Sequence, residues 1–218
     1  MPLPLFVAAD RNRPNRKLRW AIITFFALAA ALFVADVVRK ALTEAFIHDD
    51  FPEQLAIKAE QLPLLFPIHM ITGALALLLI PLAIAVRRRP RWHRPLARVA
   101  AIDVVIAGLT AFPVAWIGPV TRWSAAGFMA QAATWLALLA LGLWHIRHGR
   151  RAEHRRAMLM MAATASGAIV FRILLALSAS FSHPLGFATF YSCDAWLAWL
   201  LPLSLTAYGL KREWRVLR

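Results

Sequence analysis

The chain has 218 residues, 61% of them apolar, with a mean hydropathy of +0.60. A soluble domain carries roughly 45–50% apolar residues, so this excess points to lipid as the solvent, and the length is better counted in membrane spans of about 20 residues. The net charge is +14, from 25 Lys and Arg against 11 Asp and Glu, and the single cysteine, Cys193, excludes an intrachain disulfide and a Cys-rich metal site.

Read from the N-terminus, a basic stretch, RNRPNRKLR, precedes the first apolar run. That run reaches residue 38, longer than the ~7–15 residues of a signal-peptide core, and reads as an uncleaved first span. Spans are predicted at residues 19–38, 64–86, 96–118, 124–145, 157–179 and 187–209, apolar on all faces as lipid-embedded helices are. Between the first two lies a polar loop, residues 41–63, read as a solvated connector, with a short interfacial helix around residues 52–61 as the alternative. Strand alternation of the barrel type is absent. The expected fold is therefore all-α: six transmembrane helices in one bundle, a single membrane domain over residues 1–218.

The basic residues orient it. The N-terminal tail, residues 87–98, residues 147–156 and the C-terminal tail hold twenty of the 25 Lys and Arg. If these segments face the cytoplasm, both termini are cytoplasmic and the bias follows the positive-inside rule. The stretch RRRPRWHRPLAR (87–98) is then an insertion signal, and nucleic acid is not expected as a partner. The lipid bilayer is, with anionic headgroups at the cytoplasmic face attracting the basic loops by roughly 1 kcal/mol per residue near the surface. No protein partner follows from the sequence.

Ionisable residues inside a span cost roughly 2.5–3.5 kcal/mol on insertion scales and usually mark function. At 1.5 Å per residue, Arg172 and Asp194 each lie ~10 Å from the outer ends of their spans, with Gln131 at similar depth, His69 at ~7.5 Å and Asp36 near the outer end of the first span. These five form a candidate outer-leaflet polar cluster, with His69 as its titratable member. The short connection between the last two spans makes Arg172 and Asp194 a candidate buried ion pair. Pro81, Pro113 and Pro202 fall within spans and free carbonyls that need other partners.

At the inner rim two basic loops rhyme 61 residues apart: RRRPRWHRPLAR, with His93-Arg94, and RHGRRAEHRRAM, with His154-Arg155. They suggest a duplicated pair of spans. His93 and His154 are candidate axial ligands of a haem b. His145 and His148, together with Arg94, Arg98 and Arg155, complete an inner rim of basic and histidine residues. No metal site is expected. No phosphate-binding glycine loop, zinc-hydrolase motif or nucleophile elbow is present, so no catalytic residue is named.

The runs FPIHMITGALALLLIPL, RRRPRWHRPLARV and IRHGRRAEHRRAMLMMAATASGAIVFR resemble a bacterial membrane family, domain of unknown function 2306 (DUF2306), over residues 64–178. Its pattern falls on His69; on His93, Arg94 and Arg98; on His154, Arg155 and Met158; and on Arg172. Ala97 stands where the family has glycine. The resemblance implies a multi-pass protein of the bacterial inner membrane and brings no established activity. Three functions remain open: a non-catalytic accessory or membrane-organising protein, which leads; a haem b-binding or quinone-linked electron carrier; and a small-solute or proton transporter with an outward-facing polar pocket.

Overall fold

A computed structural model describes residues 24–25, 27–36, 39, 53–178 and 186–216. The N-terminal basic tail, both ends of the first expected span, residues 40–52 of the polar loop and residues 179–185 lie outside these. All regular structure among the described residues is helical: α1 (Ala27–Asp36), α2 (Glu53–Gln61), α3 (Leu65–Ala85), α4 (Pro90–Trp116), α5 (Arg122–Arg147), α6 (Arg151–Ser178) and α7 (Phe187–Val216). Four of them, α3 to α6, are long and apolar enough to cross a membrane. α7 has the length, 30 residues, but Asp194, Tyr191, three tryptophans and a charged C-terminal turn dilute its apolar character. The connector read into residues 41–63 contains α2 at its C-terminal end.

Consecutive helices form hairpins. α3 packs on α4, α4 on α5, α5 on α6, and α7 covers α5 and α6, while α3 also touches α6. The shared core joins all four central helices: Ala76 and Ile80 of α3, Val104 of α4, Leu139 of α5, and Met161 and Ala165 of α6. α1 docks Val34 and Phe33 against Ala74 and Leu77 of α3. Many large apolar side chains point outward, among them Leu82, Ile102, Leu109, Ile173 and Leu201, each more than half exposed. That exposure fits a hydrocarbon surround, in which burying leucine gains nothing over leaving it in lipid.

The turns are built by local chemistry. Thr121 caps α5: its hydroxyl accepts from the Ser124 amide at 3.0 Å, and the Ser124 hydroxyl accepts from the Thr121 amide at 3.1 Å. This reciprocal box satisfies two amides that a helix start leaves unpaired. α5 ends on Gly149 at φ 73°, with Gly149 N–H on the Ile146 carbonyl at 3.2 Å and Arg150 N–H on the His145 carbonyl at 2.9 Å. These are the two bonds of a Schellman stop, which needs a left-handed residue that glycine supplies without strain. Pro90 opens α4 at a position where its missing amide costs nothing.

Candidate functional site

The helix hairpins leave two ends. One carries the basic turns at residues 86–89 and 148–150; the other carries α2, the α4–α5 turn and the start of α7. The candidate polar cluster lies toward the second end.

His69 on α3 places Nδ1 3.1 Å from the Ala107 carbonyl and 3.3 Å from the Thr110 hydroxyl, both on α4. A carbonyl only accepts, so Nδ1 carries the hydrogen, and the neutral ring leaves Nε2 as an acceptor. Lys58 on α2 donates from Nζ to the Val114 carbonyl at 2.6 Å and the Ile117 carbonyl at 2.5 Å. It thereby closes the C-terminal end of α4, where carbonyls lack helical partners and the helix dipole is negative. Burial lowers the Lys58 pKa below its ordinary 10.5. Lys58 and Arg172 both lie within electrostatic range of His69.

Arg172 does not meet Asp194. Its guanidinium donates to the Ala168 carbonyl of its own helix at 3.0 Å and lies 5.9 Å from the centre of the Phe33 ring of α1. Asp194 is 2% exposed, and neither carboxylate oxygen has a hydrogen-bond partner. The expected ion pair is therefore absent. The guanidinium is instead engaged by its own helix and the Phe33 ring, while Tyr191, one turn before Asp194 on α7, stands in electrostatic range of both groups, its ring packed on Phe171 and Phe128 at 5.2 and 6.0 Å. Gln131 turns to α6, donating to the Thr164 carbonyl at 3.0 Å. Asp36, 46% exposed, accepts from Arg39 at 2.8 Å in a surface ion pair. So His69, Arg172 and Asp194 share one region of the bundle with Lys58 and Tyr191, while Gln131 serves as a strut between helices and Asp36 sits at the surface.

At the basic end, His93 and His154 play one part in two places. His93 Nδ1 donates to the Ala83 carbonyl at 2.9 Å, across the α3–α4 turn; His154 Nδ1 donates to the Gly142 carbonyl at 2.8 Å, across the α5–α6 turn. Each staples its own hairpin and presents Nε2 as an acceptor. The equivalence extends inward. At the same spacing of 61 residues, buried Ala100, Asp103 and Val104 of α4 fall on buried Met161, Thr164 and Ala165 of α6. His145 and His148 take other roles. The His148 Nδ1 donates to the Trp144 carbonyl at 2.8 Å, and its ring lies 4.6 Å from that of Trp144, over which Arg150 also sits. His145 packs edge-on to Trp144 with a buried, unpartnered Nδ1. Arg94, Arg98 and Arg155 are exposed. Among the described residues no three His, Cys, Asp or Glu groups converge on a common point.

Residues 66–209 match a family described as predicted membrane protein, DUF2306. The chain belongs to this family. The match starts two residues inside the stretch that carries the resemblance and continues into α7 as far as residue 209, so that Asp194 lies inside it. No curated protein and no solved structure matches the chain.

Three polar residues of this DUF2306 chain lie outside the candidate set that the sequence supplies. Lys58 sits in what reads as a connector, and its partners lie 56 and 59 residues away. Tyr191 is hidden among the aromatics of α7. Asp103 is 7% exposed with Oδ2 unpartnered; it had a sequence signal, an acid inside the apolar run AAIDVVIAG, of the same kind that marks Asp194.

Proposed function

We propose that this DUF2306 chain is a multi-pass protein of the bacterial inner membrane that carries protons through a polar pocket opening to the outer face. In this reading α1 and α7 belong to the first and last of six spans, and both termini are cytoplasmic. The distribution of arginine supports the orientation, since eleven of the 25 basic residues fall in residues 87–98 and 147–156 and nine more in the two tails. One observation carries the activity: Asp194, almost wholly buried, with both oxygens unpartnered. An ionised carboxylate left so would cost several kcal/mol, and the group escapes the cost by taking up a proton. A site that must hold a proton to be stable, beside Tyr191, which is also in electrostatic range of Arg172, has the chemistry of a proton-binding pocket.

The test is proton entry into liposomes holding the full chain, driven by a potassium diffusion potential and followed with an internal pH dye. Wild-type protein should acidify the lumen, and Asp194→Asn should return entry to the protein-free rate. Entry by wild type no faster than into empty liposomes would overturn the reading. A second reading, electron transfer through haem b, rests on the paired Nδ1–H···O=C bonds of His93 and His154, since a backbone carbonyl on one ring nitrogen is the usual support for a ligating histidine. The visible spectrum of protein made with excess haem decides it, with loss of the Soret band in His93→Ala and His154→Ala as the expected sign.

A further inference from the structure

Asp103 is the one acidic residue between Glu60 and Glu153. On α4 it shares a helical stripe with Ala100, Ala107 and Thr110, spaced three, four and seven positions away. The hydrogen bonds of His69 to Ala107 and Thr110 show that this stripe faces α3. The register of the hairpin is fixed twice, by His93 on Ala83 at one end and His69 on Ala107 further along. Both bonds agree, and the same register sets Gly73 opposite Asp103. Gly73 is one turn from His69 on the same stripe of α3, and a Cβ built there would meet nothing within 4 Å. A buried carboxyl with an unpartnered oxygen thus stands level with open space in the seam.

We infer that Asp103 is a proton-binding station in the α3–α4 seam that exchanges its proton with His69 through the space at Gly73. The inference rests on the proton reading above and gives it an inward step. His69 Nδ1–H stays on the Ala107 carbonyl. A proton taken up at Nε2 makes the imidazolium; the Nε2–H bond then breaks as an O–H bond forms on the Asp103 carboxylate, and the neutral ring is restored. The two residues differ in level by four positions on a helix, about 6 Å, a gap that one water bridges. A proton suits the site and a metal ion does not. Calcium and magnesium take six or more oxygens, and no further acid or histidine joins Asp103 among the described residues. The groups that bear on its charge are few. α3 brings His69 alone; α5 has only Arg122, His145 and Arg147, all near its ends; α4 itself carries Arg91, His93, Arg94 and Arg98 toward the basic end; and Lys58 caps the other end of α4.

The test is infrared spectroscopy of the full chain in detergent at mildly acidic pH, transferred from H2O to D2O. A protonated-carboxyl band absent from Asp103→Asn identifies the group. In wild type that band should shift promptly on deuteration. Gly73→Val, which fills the seam, and His69→Gln, which removes the shuttling imidazole, should each slow the shift by roughly a hundredfold. No Asp103 band, or a shift equally fast in both variants, overturns the inference. If liposomes show no proton entry while Asp103 exchanges through His69 and Gly73, the station stands and the transport reading falls; if entry persists in Asp103→Asn, the station is not on the path and this inference fails alone.

Discussion

Asp194→Asn is expected to leave the unfolding free energy in detergent within about 1 kcal/mol of wild type, because the carboxylate makes no hydrogen bond that the amide would lose. Had Asp194 been paired with Arg172, the same change would cost roughly 3–5 kcal/mol by stranding a buried guanidinium. The glycines give a sharper contrast. A Cβ at Gly127 would lie 2.9 Å from the Ala195 carbonyl oxygen, and one at Gly167 would lie 3.0 Å from the Trp199 Cα, so in both cases backbone of α7 must move. Gly127→Ala and Gly167→Ala should each lower stability by about 1–3 kcal/mol, whereas Gly73→Ala, with no neighbour within 4 Å, should be neutral or gain up to about 1 kcal/mol of helix propensity. Thermal unfolding of the three variants side by side checks the order. Residue types were legible in the sequence where an ionisable group interrupts an apolar run. Partners were not: depth along a helix placed Arg172 and Asp194 at one level, but the angle around each helix decides whether they touch.

Helices were legible wherever lipid-length apolar runs end in turn chemistry, and α3 to α6 lie where the hydropathy puts them, with α4 and α6 starting six residues earlier through basic turns, α5 two residues longer at each end, and α3 one residue shorter at each end. The helix offered as the alternative for residues 52–61 is α2; what composition could not carry was its docking, which depends on Lys58 reaching the end of α4. That contact makes a pH-dependent element. Burial lowers the proton affinity of Lys58 in the folded chain, so the unfolded chain binds that proton more tightly, and stability rises with pH between the lowered value and 10.5, above which no further gain remains. Relative to Lys58→Met, the wild-type melting temperature should therefore climb as pH is raised through that window; a parallel course for the two proteins would show that Lys58 is not held as described. The histidine staples make a different forecast. His93→Leu and His154→Leu each lose one bond across a hairpin turn and should cost about 0.5–1.5 kcal/mol by chemical denaturation, with the two effects similar in size because the bonds are equivalent.

At the scale of the whole chain, orientation rests on arginine and is open to direct test: reporter domains fused after Glu53 and after Arg151 should report opposite sides of the membrane. Agreement between them would remove the topology proposed above. The arrangement of hairpins has another consequence. The shared core draws two residues from α3, one from α4, one from α5 and two from α6, so neither hairpin owns it, and the chain passes from the first to the second through the short turn around Gly118, at φ 51°. Each hairpin also keeps its own histidine staple and its own arginine-rich turn, the latter being what directs insertion. The protein therefore divides naturally at that turn. Residues 1–118 and 119–218, made as separate polypeptides in one cell, should each enter the bilayer in the orientation they have in the intact chain, find one another through the half-core each leaves uncovered, and be recovered together when only one is tagged.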